Sequence, residues 1–121
     1  MEEKISVIVK QPGRDPERIE LDNTLEALQK AVGGFIETVT INDKVVIICN
    51  EEGRLKDLEP NCNVFGHSFV GPIIFAGVGG EEFASLPSVI SSKVLEEFMI
   101  RPYAEQAPSA FNPGLGYLGR V

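Results

Sequence analysis

The chain has no tryptophan, one histidine, two tyrosines and two cysteines among 121 residues. Two cysteines are too few to staple a secreted disulfide scaffold, so Cys49 and Cys62 are read as free thiols of a reducing compartment. Together with His67 they also lack the closely spaced ligand pairs of a structural zinc site. No run approaches the ~20 apolar residues that cross a bilayer. The opening Met1-Glu2-Glu3-Lys4 is polar and acidic, unlike a signal peptide. Basic side chains are scarce: 11 Lys and Arg stand against 18 Asp and Glu, for a net charge of −7. The acidic excess runs through both halves, so no segment offers the basic footprint that duplex phosphates attract. The expected location is therefore the cytoplasm, without membrane or direct duplex nucleic-acid binding and with no cofactor.

The hydrophobic fraction, 43%, and the charged fraction, 24%, are those of an ordinary globular chain, so a packed fold is expected. Alternation at Ile5, Val7 and Val9 predicts a first strand. The turn cluster Gln11–Pro16 and renewed alternation over Arg18–Leu21 make it a hairpin. Asp22-Asn23-Thr24-Leu25-Glu26 reads as a helix start capped by Asn23, with Leu25, Leu28, Ala31 and Val32 as its apolar stripe and Gly33-Gly34 as its close. Strands follow over Phe35–Ile41 and Lys44–Cys49, joined by Asn42-Asp43. The continuous run Val45–Cys49 predicts a central strand covered on both faces. Residues 54–68 read as irregular, anchored by Leu55, Leu58 and Val64. Phe69–Val78 reads as one strand, with Pro72 marking an edge or bulge. After the Gly79–Glu82 turn, Phe83–Ser85 is expected to pair briefly. A second helix, capped within Ser85–Ser88, presents Ile90, Val94, Leu95, Phe98 and Met99 and ends at Pro102. The fold expected is α+β: a mostly antiparallel sheet of about five or six strands with two short helices packed on it. Residues 1–102 form the domain, and 103–121 form a Pro/Gly-rich C-terminal arm.

Three ordered segments carry a resemblance: Asp22–Gln29, Val32–Glu37 and Cys49–Leu55, followed by Leu58, Pro60 and Asn61. Over residues 5–86 the chain resembles domain-of-unknown-function family 3846, found in small proteins of phages and conjugative elements. Val70-Gly71-Pro72-Ile73-Ile74-Phe75 stands where that family usually has a Gly-Thr-Phe-Phe-like strand. The resemblance implies a mobile-element setting in a bacterial host cytoplasm, and no established activity.

No catalytic constellation is evident. A Cys–His pair drawn from Cys49 or Cys62 with His67 has no sequence mark of an activating third group. Glu51-Glu52 and Glu81-Glu82 are adjacent on turns, where neighbouring side chains diverge, so neither pair is by itself an acid–base dyad. Gly77-Val78-Gly79-Gly80 runs into glutamates and lacks the Lys-Ser/Thr of a phosphate loop. The remaining candidates are polar and aromatic groups of the central loop and the tail. Asn50, Arg54 and Asn61, with Arg101, Tyr103, Tyr117 and Arg120, combine amide and guanidinium donors with rings that stack on bases. The function expected is a non-enzymatic counter-defence protein, a homo-oligomer that binds and sequesters a nucleotide-derived host immune signal. The alternative is an acidic inhibitor that binds a host defence or DNA-processing protein directly or by DNA mimicry.

Overall fold

The computed structural model describes residues 3–103. The chain runs β1 (Lys4–Lys10), β2 (Glu17–Asp22), α1 (Leu25–Val32), β3 (Ile36–Thr40), β4 (Val45–Asn50), β5 (Pro60–Val64), β6 (His67–Val70), β7 (Ile73–Gly79), β8 (Glu82–Ala84), α2 (Ser92–Phe98) and β9 (Ile100–Pro102). The larger sheet has the order β2-β1-β7-β4-β3, with β8 added against β7, and the smaller has the order β6-β5-β9. All their pairings are antiparallel. The α+β architecture, with an antiparallel sheet of about six strands and two short helices, is the one the sequence predicts.

Strand alternation sorts the core into two layers, because successive side chains leave a strand on opposite faces. Ile5, Val7, Val46, Ile48, Ile74 and Ala76 meet Leu28 and Val32 of α1 on one face. Ile8, Val45, Ile47, Ile73 and Phe75 face the other way, against Cys62, Val64 and Phe69 of the small sheet and Leu95 and Met99 at α2. The large sheet is thus the middle layer. Every residue of β4 is buried, which explains its unbroken apolar run.

Local chemistry moves several boundaries. Thr24, not Asn23, caps α1: its Oγ1 accepts from Ala27 N at 3.1 Å, while Asn23 Nδ2 donates to Phe83 O at 3.1 Å. Leu25 is exposed, so the buried stripe rests on Leu28 and Val32. Gly33 closes the helix in the left-handed region, at φ 82°. The connection after β3 is held by Asn42, whose Oδ1 accepts from Lys44 N at 2.8 Å and Val45 N at 2.9 Å.

The largest departure lies in residues 54–68. Only the first part is irregular; Pro60–Val64 and His67–Val70 form a hairpin. Leu58 and Val64 do anchor the segment, but Leu55 is 85% exposed. The predicted Phe69–Val78 strand is two strands in different sheets. Gly71, at φ 72°, and Pro72 form the break. Pro72 therefore marks a passage between layers, and β7 behind it is central rather than an edge.

The second helix starts later than Ser85–Ser88, because a turn closed by Ile90 N on Pro87 O precedes it and Ser91 is the cap. Arg18 pins that turn with three hydrogen bonds, Nη1 to Leu86 O at 3.2 Å and Nη2 to Pro87 O at 3.3 Å and Ile90 O at 2.6 Å, and Nη1 also donates to Ser6 Oγ on β1 at 3.0 Å. Phe98 is exposed, and Pro102 ends β9 rather than the helix. No described helix is long and apolar enough to cross a membrane.

Candidate functional site

The small sheet lies across one face of the large one, and each flank of that junction opens into a cleft. The first lies between β3–β4 and β6, closed at one end by the loop after β4. It has a volume of about 860 Å³, and its lining includes Glu37, Val39, Cys49, Arg54, His67 and Phe69. Its residues share a face because Glu37 pairs with Cys49 and Val39 with Ile47 across the β3–β4 ladder. On β6, His67 and Phe69 are two residues apart, with ring centroids 6.3 Å apart and planes inclined by 41°.

Arg54 reaches this cleft from the irregular loop and is held by Nη2 donating to Ser68 O at 2.6 Å, which leaves its other donors open. Asn50 stands at the head of the cleft but is buried and spent internally. Its Nδ2 donates to Val32 O at 3.1 Å, and its Oδ1 accepts from Glu52 N at 2.8 Å. Burial pushes the Cys49 thiol up to about 11, the Glu37 carboxylate adds to the rise, and Arg54 opposes it. The thiol is therefore protonated at neutral pH, when a cysteine nucleophile must be a thiolate. No group of three or more His, Cys, Asp or Glu side chains suited to a metal ion occurs among the described residues.

The second cleft, of about 390 Å³, lies between the β1–β2 turn, β5 and β9. Lys10, Asn61 and Cys62 line it beneath the more exposed Arg14, Asp15, Glu96 and Arg101. Asn61 Nδ2 donates to Lys10 O at 2.8 Å and Gly71 O at 2.7 Å, and its Oδ1 accepts from Lys10 Nζ at 3.0 Å. Burial raises the Cys62 thiol to about 11 as well, against the lowering pull of Lys10.

The residues singled out from the sequence are thus divided. Asn50 and Arg54 belong to the first cleft, Asn61 and Arg101 to the second. Tyr103 is half-buried at the last described position. Tyr117 and Arg120, with the rest of the predicted arm, lie outside the described residues. Lys10 and Arg14 were missed because Lys10 looks like the polar end of an alternating strand and Arg14 like ordinary turn charge. Glu37 was missed because only the ladder reveals that it faces Cys49.

The molecule so built is a two-sheet α+β protein with clefts at both flanks of the sheet junction. It belongs to the family described as a domain of unknown function (DUF3846), whose profile matches residues 5–99. That match extends the resemblance seen over 5–86 through α2 and stops before Pro102. No curated protein and no solved structure matches the chain.

Proposed function

We propose that the protein is a non-enzymatic binder that takes a nucleotide-derived small molecule into the first cleft. In the mobile-element setting implied by the family resemblance, it sequesters a host immune signal. The observation that carries this reading is the make-up of that cleft. Its volume of about 860 Å³ suits a small organic ligand, since such pockets run from about 300 to 1,000 Å³. The His67 and Phe69 rings supply faces on which a base stacks. Arg54 keeps donors for a phosphate. Glu37 and Glu51, which also lines this cleft, accept from ribose hydroxyls or exocyclic amines, as carboxylates do in dinucleotide sites. The same two carboxylates repel multiple phosphates, so the reading sharpens to a ligand of low charge. The protonated, buried Cys49 favours holding the ligand over attacking it.

A thermal-shift panel of cyclic mononucleotides, cyclic dinucleotides and ADP-ribose-type compounds tests the proposal. A ligand that binds only the folded state raises the melting temperature by mass action. The expected result is a shift with a singly charged cyclic nucleotide, lost in R54A, and recovery of the ligand intact by mass spectrometry. No shift across the panel overturns the binding reading, and a cleaved ligand overturns the non-enzymatic one.

A further inference from the structure

The second cleft holds a buried cation with no ion-pair partner among the described residues. Lys10 is only 9% exposed. Its ammonium donates to Gln11 O and Asn61 Oδ1, both at 3.0 Å. Both acceptors are neutral, and an ammonium has three donors, so one remains. The ion pairs among the described residues are Lys4–Asp22 and Lys56–Glu52; neither involves Lys10. A buried charge without an opposite partner has lost hydration that neutral acceptors replace only in part, which is why such charges are normally paired.

Nor is Lys10 free to swing outward. Asn61, whose Oδ1 holds its Nζ, is itself clamped to the backbone of Lys10 and Gly71. The register on β1 also turns Lys10 to the same face as Ile8, towards the small sheet.

The rim continues the same sign. Arg14 rides on the β1–β2 turn, whose Arg14 N–H donates to Gln11 O at 3.1 Å, and Arg101 lies on β9. Lys10, Arg14 and Arg101 thus outnumber Asp15 and Glu96 in the lining, on a chain whose net charge is −7. We propose that the second cleft is a binding site for a phosphate-class anion. Lys10 is its fixed inner contact, and Arg14 and Arg101 close over the group from the rim. The anion is inorganic phosphate or the terminal phosphate of a small metabolite, because about 390 Å³ lies near the lower end of ligand-pocket volumes. Planar guanidinium forks and an ammonium point charge are the usual phosphate donors. This site is separate from the first cleft and does not depend on what binds there.

Isothermal titration and thermal shift on the full chain test it, with inorganic phosphate and a small phosphomonoester as probes and sodium chloride at matched ionic strength as control. Phosphate at about 10 mM should raise the melting temperature where chloride does not. The R14Q/R101Q double variant, altered at exposed positions, should keep the melting temperature of the free protein and weaken phosphate binding by at least about tenfold. K30Q/K44Q, which removes two exposed cations outside both clefts, should bind phosphate as the parent does, which separates this site from diffuse charge attraction. If the phosphomonoester binds more tightly than phosphate, the metabolite is the source; the reverse order selects free phosphate. Equal responses to phosphate and chloride, or undiminished binding by R14Q/R101Q, overturn the proposal.

Discussion

Asn50 occupies a point where three pieces of chain must meet: the end of β4, the turn after it and the C-terminus of α1. Its amide satisfies Val32 O, one of the last helix carbonyls, and the backbone N–H of Glu52. Such groups otherwise stay unpaired at a helix end or a tight turn. The fit is close enough that a Cβ on Gly34 would sit 2.8 Å from Asn50 Nδ2. Replacing Asn50 by Ala strands both backbone groups in a site that is 6% exposed, so N50A should lose about 1–3 kcal/mol of unfolding free energy. Urea denaturation measures this; a loss below about 0.5 kcal/mol would mean that water replaces the amide and that the joint is not structural. In sequence, Asn50 and Asn61 look equally suited to a ligand or to the chain itself, because an amide donates and accepts in either setting. Their partners, Val32 and Glu52 in one case and Lys10 and Gly71 in the other, come together only in the fold. Lys10 was illegible for the same reason: its meaning is that neither Asp15 nor Glu96, which share its cleft, forms an ion pair with it among the described residues, and spacing along a strand carries no such information.

Elements announced by periodicity were readable, and those announced by turn chemistry were less so. β1, β2, β4 and α1 follow from apolar spacing, and the short β8 follows from the glycine turn before it. The β5–β6 hairpin did not, and Phe65 is the reason. Val64 pairs with His67, leaving Phe65 and Gly66 as the two turn residues, at φ 48° and 87°. Two positive φ angles are the signature of the tight hairpin turns that match strand twist, for which Asn-Gly is the favoured pair. Phenylalanine at the first position hides that signal. Its left-handed backbone costs on the order of 1 kcal/mol, and asparagine visits that region more readily. Phe65 is mostly exposed, and Asn63 Oδ1 already supports the turn by accepting from Gly66 N at 3.0 Å. F65N should therefore raise stability by about 0.5–1 kcal/mol, seen as a higher melting temperature. A lower one would show that the exposed ring has a packing role on the surface of the folded protein. Because His67 follows this turn directly, the same residue also sets the register that brings His67 and Phe69 to the first cleft.

At the scale of the molecule, the two clefts are flanks of one junction, and a thiol is sealed into each. Cys49 on β4 and Cys62 on β5 belong to the same buried cluster, which joins the two sheets through Ile47, Phe75, Val64 and Leu95. Burial raises both thiols from 9.0 to about 11. An unfolded chain would lose these protons near pH 9 and the folded chain near pH 11, so across that window the folded state binds more protons. Stability is then fully present below pH 9 and falls as pH rises towards 11. The loss by pH 10.5 should be on the order of 1–2 kcal/mol per thiol. Urea unfolding under reducing conditions at pH 8 and pH 10.5 measures it, with the C49A/C62A double variant as the reference for every other titrating group. That variant should be less stable at pH 8, since two buried side chains are shortened, yet lose less between the two pH values than the parent. Parallel losses in the two proteins would place the alkaline sensitivity outside the two thiols. The thiols would then be hydrated in the folded state, and the junction between the sheets would be open to water where the packing of Cys49 and Cys62 closes it.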